Sequence, residues 1–329
     1  VGQSQCLQFR DDIDHWKYKN VDLSPILYKQ EPTEDDTLYC SIEQKHLIHD
    51  IVDRKLIKDA AAALADCDVI LVCVKSVATR EAADTLARIA KPEAVVVSLQ
   101  NGVSNAGVLR EALAPRTVLA GMVGFNVAQI GDSRFHRGTE GEIVLEAGPG
   151  ADAIAGALNA AGIEAAVCDD IEAVQWGKLL LNLNNAVNAL SGLPLKRQLS
   201  MRAYRQVLAV SMREALGVLK AAGIRPAAVG KAGPSLIVRI LALPDWLFVR
   251  LAGSMLAIDD DATSSMAEDL ARGRAPEIDW LNGEIVALGR TTGVATPVNE
   301  TLVALVRAAF AGEGPRRYSG PELKKAMPG

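Results

Sequence analysis

The chain has 329 residues, 49% apolar and 23% charged, with 35 Lys and Arg against 40 Asp and Glu and a net charge of −5. That composition can bury a sizeable core and argues against whole-chain disorder, and the length suits two domains of about 150 residues each. A surface of this sign does not attract nucleic acid or anionic bilayers, so neither is expected as a partner, whereas a small molecule is.

The first 58 residues hold five of the fourteen aromatic residues and three of the four histidines, with almost no clean periodicity. His46 and His49 have a spacing that could ligate a metal, but no third ligand accompanies them. They read as surface histidines, and no metal is expected. Cys6, Cys40, Cys67, Cys73 and Cys168 are scattered without a CxxC pair, which speaks against a disulfide framework or a structural zinc and for a reducing cytoplasm. No basic-then-apolar signal pattern opens the chain, so export is not expected.

From Asp68 the run DVILVCV predicts a buried strand of a parallel sheet, and an amphipathic helix is expected over 79–89. AVVVSLQNG, 94–102, reads as a second strand ending in a polar turn, which completes a βαβ unit. RTVLAGMVGFNV, RFHRG and EIVLEAG read as shorter strands, followed by a helix over 151–161 and a strand at EAAVC. Beyond Asp170 only helices of about 10 to 25 residues are predicted, which places a boundary near 168–170. The apolar stretch from Leu236 to Ile258 contains Arg239, Pro244, Asp245 and Arg250, so a buried pair of helices is expected there, not a membrane span.

Three stretches carry candidate chemistry. In QWGKLLLNLNNAVNALSG, 175–192, Lys178, Asn182 and Asn185 fall on one face of a helix at i, i+4 and i+7. A lysine in a partly desolvated site has a lowered pKa and can protonate a developing alkoxide, while neighbouring amides donate to a carboxylate or carbonyl and accept from a hydroxyl. The bland reading, a lysine reaching solvent and amides knitting helices together, stays open from spacing alone. In SSMAEDLARGRAPEIDWLNG, 264–283, Glu277 follows Pro276 at a helix start, where a carboxylate also suits the helix dipole. QNG at 100–102 sits where ligands of open α/β sheets bind, although Asn-Gly is equally a plain turn. A fourth stretch, with Gly148, Gly150 and Ala153 between a strand and a helix and Asp169 after the next strand, has the layout of a dinucleotide fingerprint, with Pro149 stiffening its turn.

VCVKS at 72–76, SLQNGV at 98–103, WGKLLLN at 176–182 and the 264–283 stretch together resemble the ketopantoate reductase family, over about 59–329. The resemblance implies α/β plus all-α architecture: a partial Rossmann-like parallel sheet domain over 59–169, followed by a helical substrate and dimerisation domain over 170–329, with the active site in the cleft between them. It implies reduction of 2-dehydropantoate, or a related 2-keto acid, by NADPH (cofactor NADP), and allows a homodimer. Lys178 matches the catalytic lysine, and Asn182, Ser265 and Glu277 match substrate-holding residues. Asn101 matches the asparagine of the cofactor site, and Lys75 lies near the cofactor. Two further family asparagines fall on Ala186 and Ala262, with Asn185 and Asn188 flanking the first.

After Gly2 the next glycine is Gly102, so a GxGxxG cradle is not expected within residues 1–101. IDHWKYKNVDLSPILYKQE, LYCSIEQKH and VDRKLI resemble instead a segment of the glutamate synthase large subunit, which makes 1–58 an atypical N-terminal segment. A non-catalytic binding or oligomerisation protein on the same scaffold is the rival expectation.

Overall fold

The computed structural model describes residues 64–130, 134–137, 139–228, 232–253, 259–315 and 317–328. His46, His49 and the glutamate synthase-like stretch lie outside them. The chain divides into two compact units at Ile171 and Glu172, each built around its own core.

In the first unit, strands β1 (Val69–Val72), β2 (Val95–Ser98), β3 (Val118–Val123), β6 (Ile143–Glu146) and β7 (Ala165–Cys168) form one sheet in the order β1-β2-β3-β6-β7. Between β3 and β6 the chain makes a separate antiparallel pair, β4 (Val127–Ile130) and β5 (Arg134–Arg137). Among the described residues the unit has the helices α1 (Thr79–Ile89), α2 (Asn105–Leu113) and α3 (Ala151–Ala160). The period-2 alternation of the strands sorts their side chains onto two covered faces. Ile70, Val72, Val96 and Val118 meet Ala83 and Leu86 of α1 and Leu109 and Leu113 of α2. Val97, Leu119, Ile143 and Leu145 meet Ala151, Ile154 and Ala155 of α3. A sheet covered on both sides needs the nearly continuous apolar runs that these strands have.

Among the described strands the sheet is parallel in three of four ladders, Val69↔Val95, Val96↔Val118 and Ile143↔Ala165 being paired positions, but β3 and β6 run antiparallel with Gly121 opposite Leu145. The reversal follows from the connection. A strand pair, not a helical crossover, joins β3 to β6, and without such a crossover the chain returns alongside itself. RTVLAGMVGFNV is therefore two strands and not one. At the break, the Gly124 N–H donates to the Glu142 carbonyl at 2.8 Å, and a Cβ on Gly124 would stand 2.7 Å from that oxygen.

Helix α2 escapes the sequence reading. Gly107 lies in its first turn and no side chain caps its start, so local propensity is weak. Burial of Leu109 and Leu113 against the sheet supplies the stability instead.

The second unit is helical: α4 (Ile171–Asn182), α5 (Asn184–Ser191), α6 (Leu195–Ser200), α7 (Arg202–Ala221), α8 (Pro234–Leu241), α9 (Asp245–Leu251), α10 (Ser265–Arg272), a 3-10 turn over Ile278–Trp280, α11 (Asn282–Thr292), α12 (Pro297–Ala311) and α13 (Gly320–Ala326). Its organising element is α7, which packs against α8, α11, α12 and α13 and buries a broad stripe from Tyr204 to Leu219. Arg205, fully buried, donates to the carbonyls of Leu199, Leu241 and Leu243, pairs with Asp245 at 2.7 Å and lies 4.0 Å from the Phe248 ring centre. One guanidinium thus satisfies the orphan carbonyls that end α6 and α8 and anchors the start of α9.

The stretch expected as a buried helix pair forms α8 and α9, yet only their inner faces are buried. Ile237, Val238, Leu241 and Phe248 are inside, whereas Leu236, Val249, Leu251 and Trp246, the last 72% exposed, are on the surface. Each helix is short and amphipathic, so an apolar run need not be buried all round. No helix among the described residues is long and apolar enough to cross a membrane.

Candidate active site

Lys178 and Asn182 stand one helical turn apart on α4, off the buried stripe formed by Gln175, Trp176, Leu179 and Leu180. Lys178 is half-buried, and desolvation lowers its pKa from the ordinary lysine value to about 8. The group stays mostly protonated at neutral pH while becoming a stronger acid than a solvated lysine. The expectation of one helix through 175–192 is corrected. α4 ends at Asn182 and α5 starts at Asn184, with Leu183 between them still in the right-handed region and its N–H bonded to the Leu179 carbonyl at 3.0 Å.

Asn185 and Asn188 take different parts. Asn188 is fully buried and acts as a structural link: its Oδ1 accepts the Ser264 N–H at 2.9 Å and its Nδ2 donates to the Leu193 carbonyl at 2.9 Å. The Asn185 carbonyl accepts the Ser264 hydroxyl at 3.4 Å. Ser264 is also the N-cap of α10, accepting the Ala267 N–H at 3.2 Å. Two bonds thus dock the start of α10 onto α5, and Ser265, the first residue of that helix, is left exposed. Nothing in the sequence marked Ser264 over Ser265. The two are told apart only by which one the helix start uses as its cap.

Glu277 is 6% exposed and precedes the 3-10 turn, where its carbonyl accepts the Trp280 N–H at 3.1 Å. The expected helix start is there, in the tighter 3-10 form. That turn leads into Asn282, whose Nδ2 donates to Asn299 Oδ1 at 3.0 Å. Asn299 Oδ1 also accepts the Ser211 hydroxyl at 2.8 Å, and Asn299 Nδ2 donates to Glu214 at 2.8 Å. The Glu214 carboxylate in turn takes the N–H groups of Val298 and Asn299, which caps α12 from outside its own sequence. The segment carrying Glu277 is therefore tied to α7 and α12, and α12 packs on α5. Asn299, Ser211 and Glu214 escaped the sequence reading. A polar run interrupting an apolar helix pattern is the signal that could have marked them.

In the first unit, Lys75 precedes the 3-10 turn Ser76–Ala78 after β1, and Asn101 lies in the turn after β2. The Ser76 hydroxyl donates to the Asn101 carbonyl at 3.3 Å, so the two residues are brought to the same end of the sheet, beyond the carboxyl ends of parallel strands. The fingerprint-like stretch does form a βαβ unit, from β6 through α3 to a parallel β7. Its glycines have structural reasons: a Cβ on Gly148 would meet Leu119 at 2.8 Å, and Gly150 takes φ +85° to start α3.

A Rossmann-like α/β unit followed along the chain by a helical unit with a half-buried lysine is the build of a class of oxidoreductases. Residues 33–150 match the family model described as ketopantoate reductase PanE/ApbA, and residues 170–310 match its C-terminal counterpart. The chain is 30% identical over 264 residues to the 2-dehydropantoate 2-reductase of Halobacterium salinarum, covering 78% of this chain and 81% of the relative. A crystal structure of a PanE/ApbA family ketopantoate reductase from Ralstonia eutropha superposes with a TM-score of 0.66 at 32% identity, covering 77% of this chain and 79% of that one. D-mandelate dehydrogenase, solved with NADH and anilino(oxo)acetate, shares the fold at 19% identity and a TM-score of 0.62, over 75% of this chain and 77% of its own. The chain belongs to the ketopantoate reductase family of oxidoreductases.

Proposed function

We propose that this protein reduces 2-dehydropantoate, or a related 2-keto acid, to the 2-hydroxy acid with NADPH, and that Lys178 is its catalytic acid. The observation that carries this reading is the desolvated Lys178, with a pKa near 8, one turn from Asn182 in a member of this family. When bound, NADPH would supply the hydride for the keto carbon. Lys178 Nζ gives a proton to the carbonyl oxygen as charge develops on it, so one C–H and one O–H bond form while the carbonyl π bond is lost. The lysine then regains its proton from solvent. Asn182 and Ser265 hold the carbonyl and carboxylate end of the substrate, and Glu277 accepts a hydrogen bond from its hydroxyl.

Lys75 and Asn101 suit the cofactor, because they share the sheet end at which such ligands bind. The pyrophosphate cradle is not part of that fit. Among the described residues, the glycines nearest to a GxGxxG pattern, Gly148 and Gly150, serve packing and the turn into α3. Residues 59–169 form the cofactor domain, 170–329 the substrate and dimerisation domain, and 1–58 an atypical segment. The exposed apolar face of α8 and α9 supports a homodimer.

The test is NADPH fluorescence, followed first in a binding titration and then during turnover of 2-dehydropantoate. Consumption of NADPH that Lys178→Ala abolishes is the expected result, with nucleotide affinity weaker than micromolar because the glycine turn is missing. No binding at any concentration would favour the non-catalytic reading.

A further inference from the structure

The polar side chains between the β1 and β2 loops form one directed chain of hydrogen bonds. The Ser98 hydroxyl donates to Gln100 Oε1 at 3.1 Å, and Gln100 Nε2 donates to the Val74 carbonyl at 2.9 Å and to Thr79 Oγ1 at 2.7 Å. The Thr79 hydroxyl donates onward to Asn105 Oδ1 at 2.8 Å, and Asn105 Nδ2 donates to Ser76 Oγ at 3.0 Å and to the Asn101 carbonyl at 2.6 Å. Ser76, Thr79, Ser98, Gln100 and Asn105 are all buried.

The direction of every bond is fixed. Carbonyls only accept, so Gln100 must turn its nitrogen to Val74 and Asn105 its nitrogen to Asn101. That leaves Thr79 to accept from one amide and donate to the other. Its ends fall on both sides of the two cofactor-loop residues. Lys75 lies between Val74 and Ser76, each held by an amide of the chain, and Asn101 follows Gln100 and has its own carbonyl held by Asn105. Thr79 and Asn105 are also the first residues of α1 and α2, so the chain is rooted in two packed helices.

We infer that Asn105 and Gln100, joined through Thr79, are positioning residues that fix Lys75 and Asn101 relative to each other for the nicotinamide nucleotide. The inference rests on the proposed cofactor role of those two loops. Purely structural glue would hold helix to sheet through any buried contact. Here the bonds converge on the backbone on either side of the two loop residues and satisfy each donor once, which is what pre-organising a binding surface requires.

The experiment compares the full chain with Asn105→Ala and with the milder Thr79→Val, which keeps shape but interrupts the relay between the two amides. Backbone amide exchange over 74–78 and 100–104 and NADPH affinity by fluorescence are read together, with far-UV circular dichroism confirming the fold. The expected result is loop exchange faster by about tenfold, with exchange in β2 and β3 unchanged, and NADPH affinity weaker by about tenfold in Asn105→Ala, with a smaller change in both in Thr79→Val. Unchanged loop exchange in folded Thr79→Val overturns the inference. Faster loop exchange with unchanged NADPH affinity also overturns it, because the loops would then be held for something other than the cofactor. Failure of the parent chain to bind NADPH at all overturns the cofactor reading underneath, and is distinguished by appearing before any substitution is made.

Discussion

Asn188 Oδ1 accepts the Ser264 N–H at 2.9 Å across 76 residues of chain, and this bond joins the helix that follows Lys178 to the helix that begins with Ser265. Asn188→Ala would leave the Ser264 N–H and the Leu193 carbonyl buried without their partner. At roughly 1 to 3 kcal/mol for each unsatisfied group, the loss of stability is expected to be about 2 to 6 kcal/mol. Urea unfolding measures it. A change below about 0.5 kcal/mol would show that water replaces the amide and that the docking of α10 does not depend on it.

Lys178 is expected to lower the stability of the fold it serves. Its folded pKa, about 8, lies below the unfolded value, so the unfolded chain binds more protons between those two pH values. The cost is fully present below pH 8 and is relieved as pH rises toward the ordinary lysine pKa. Lys178→Met should therefore be more stable than the parent at pH 7, by up to about 3 kcal/mol, with the gap closing through that alkaline window. Melting temperatures of the two proteins over a pH series would show it. A gap of constant size would mean that packing, not protonation, separates them.

Under the proposed function the same titration is expected to govern the rate. If the ammonium of Lys178 delivers the proton, kcat for the reductive direction should fall as pH rises through about 8, tenfold per unit once well above it. Lys178→Arg, which cannot give up its proton in this range, should be nearly inactive and show no such inflection. An unchanged inflection in any residual Lys178→Arg activity would assign the titration to another group.

Under the proposed function, Glu277 discriminates among keto acids through the substrate hydroxyl. Glu277→Ala should raise the KM for a hydroxylated keto acid by about 10- to 150-fold, the equivalent of a charge-assisted hydrogen bond of roughly 1.5 to 3 kcal/mol. A keto acid without the hydroxyl should lose much less. Equal losses for both would make Glu277 a structural carboxylate at the start of its 3-10 turn.

What could be read from the chain without coordinates was whatever its local periodicity imposes. The apolar runs at Val69–Val72 and Val95–Ser98, and the helices that start at Thr79 and Ala151, form at the expected places because burial on two faces or on one stripe leaves its mark on neighbouring residues. The spacing of Lys178 and Asn182 on one face was legible for the same reason. Tertiary structure alone decided the antiparallel β3–β6 ladder, because strand direction depends on the connection and not on the strand's own residues. It alone made α2 a helix, through the burial of Leu109 and Leu113 beneath a start that local propensity does not favour. And it alone separated Ser264, which caps α10, from Ser265, which it leaves exposed, and drew Asn188, Asn299 and Asn105 into fixed networks. A buried amide is satisfied by whatever donor or acceptor the fold brings to it, and those partners lie up to 88 residues away along the chain.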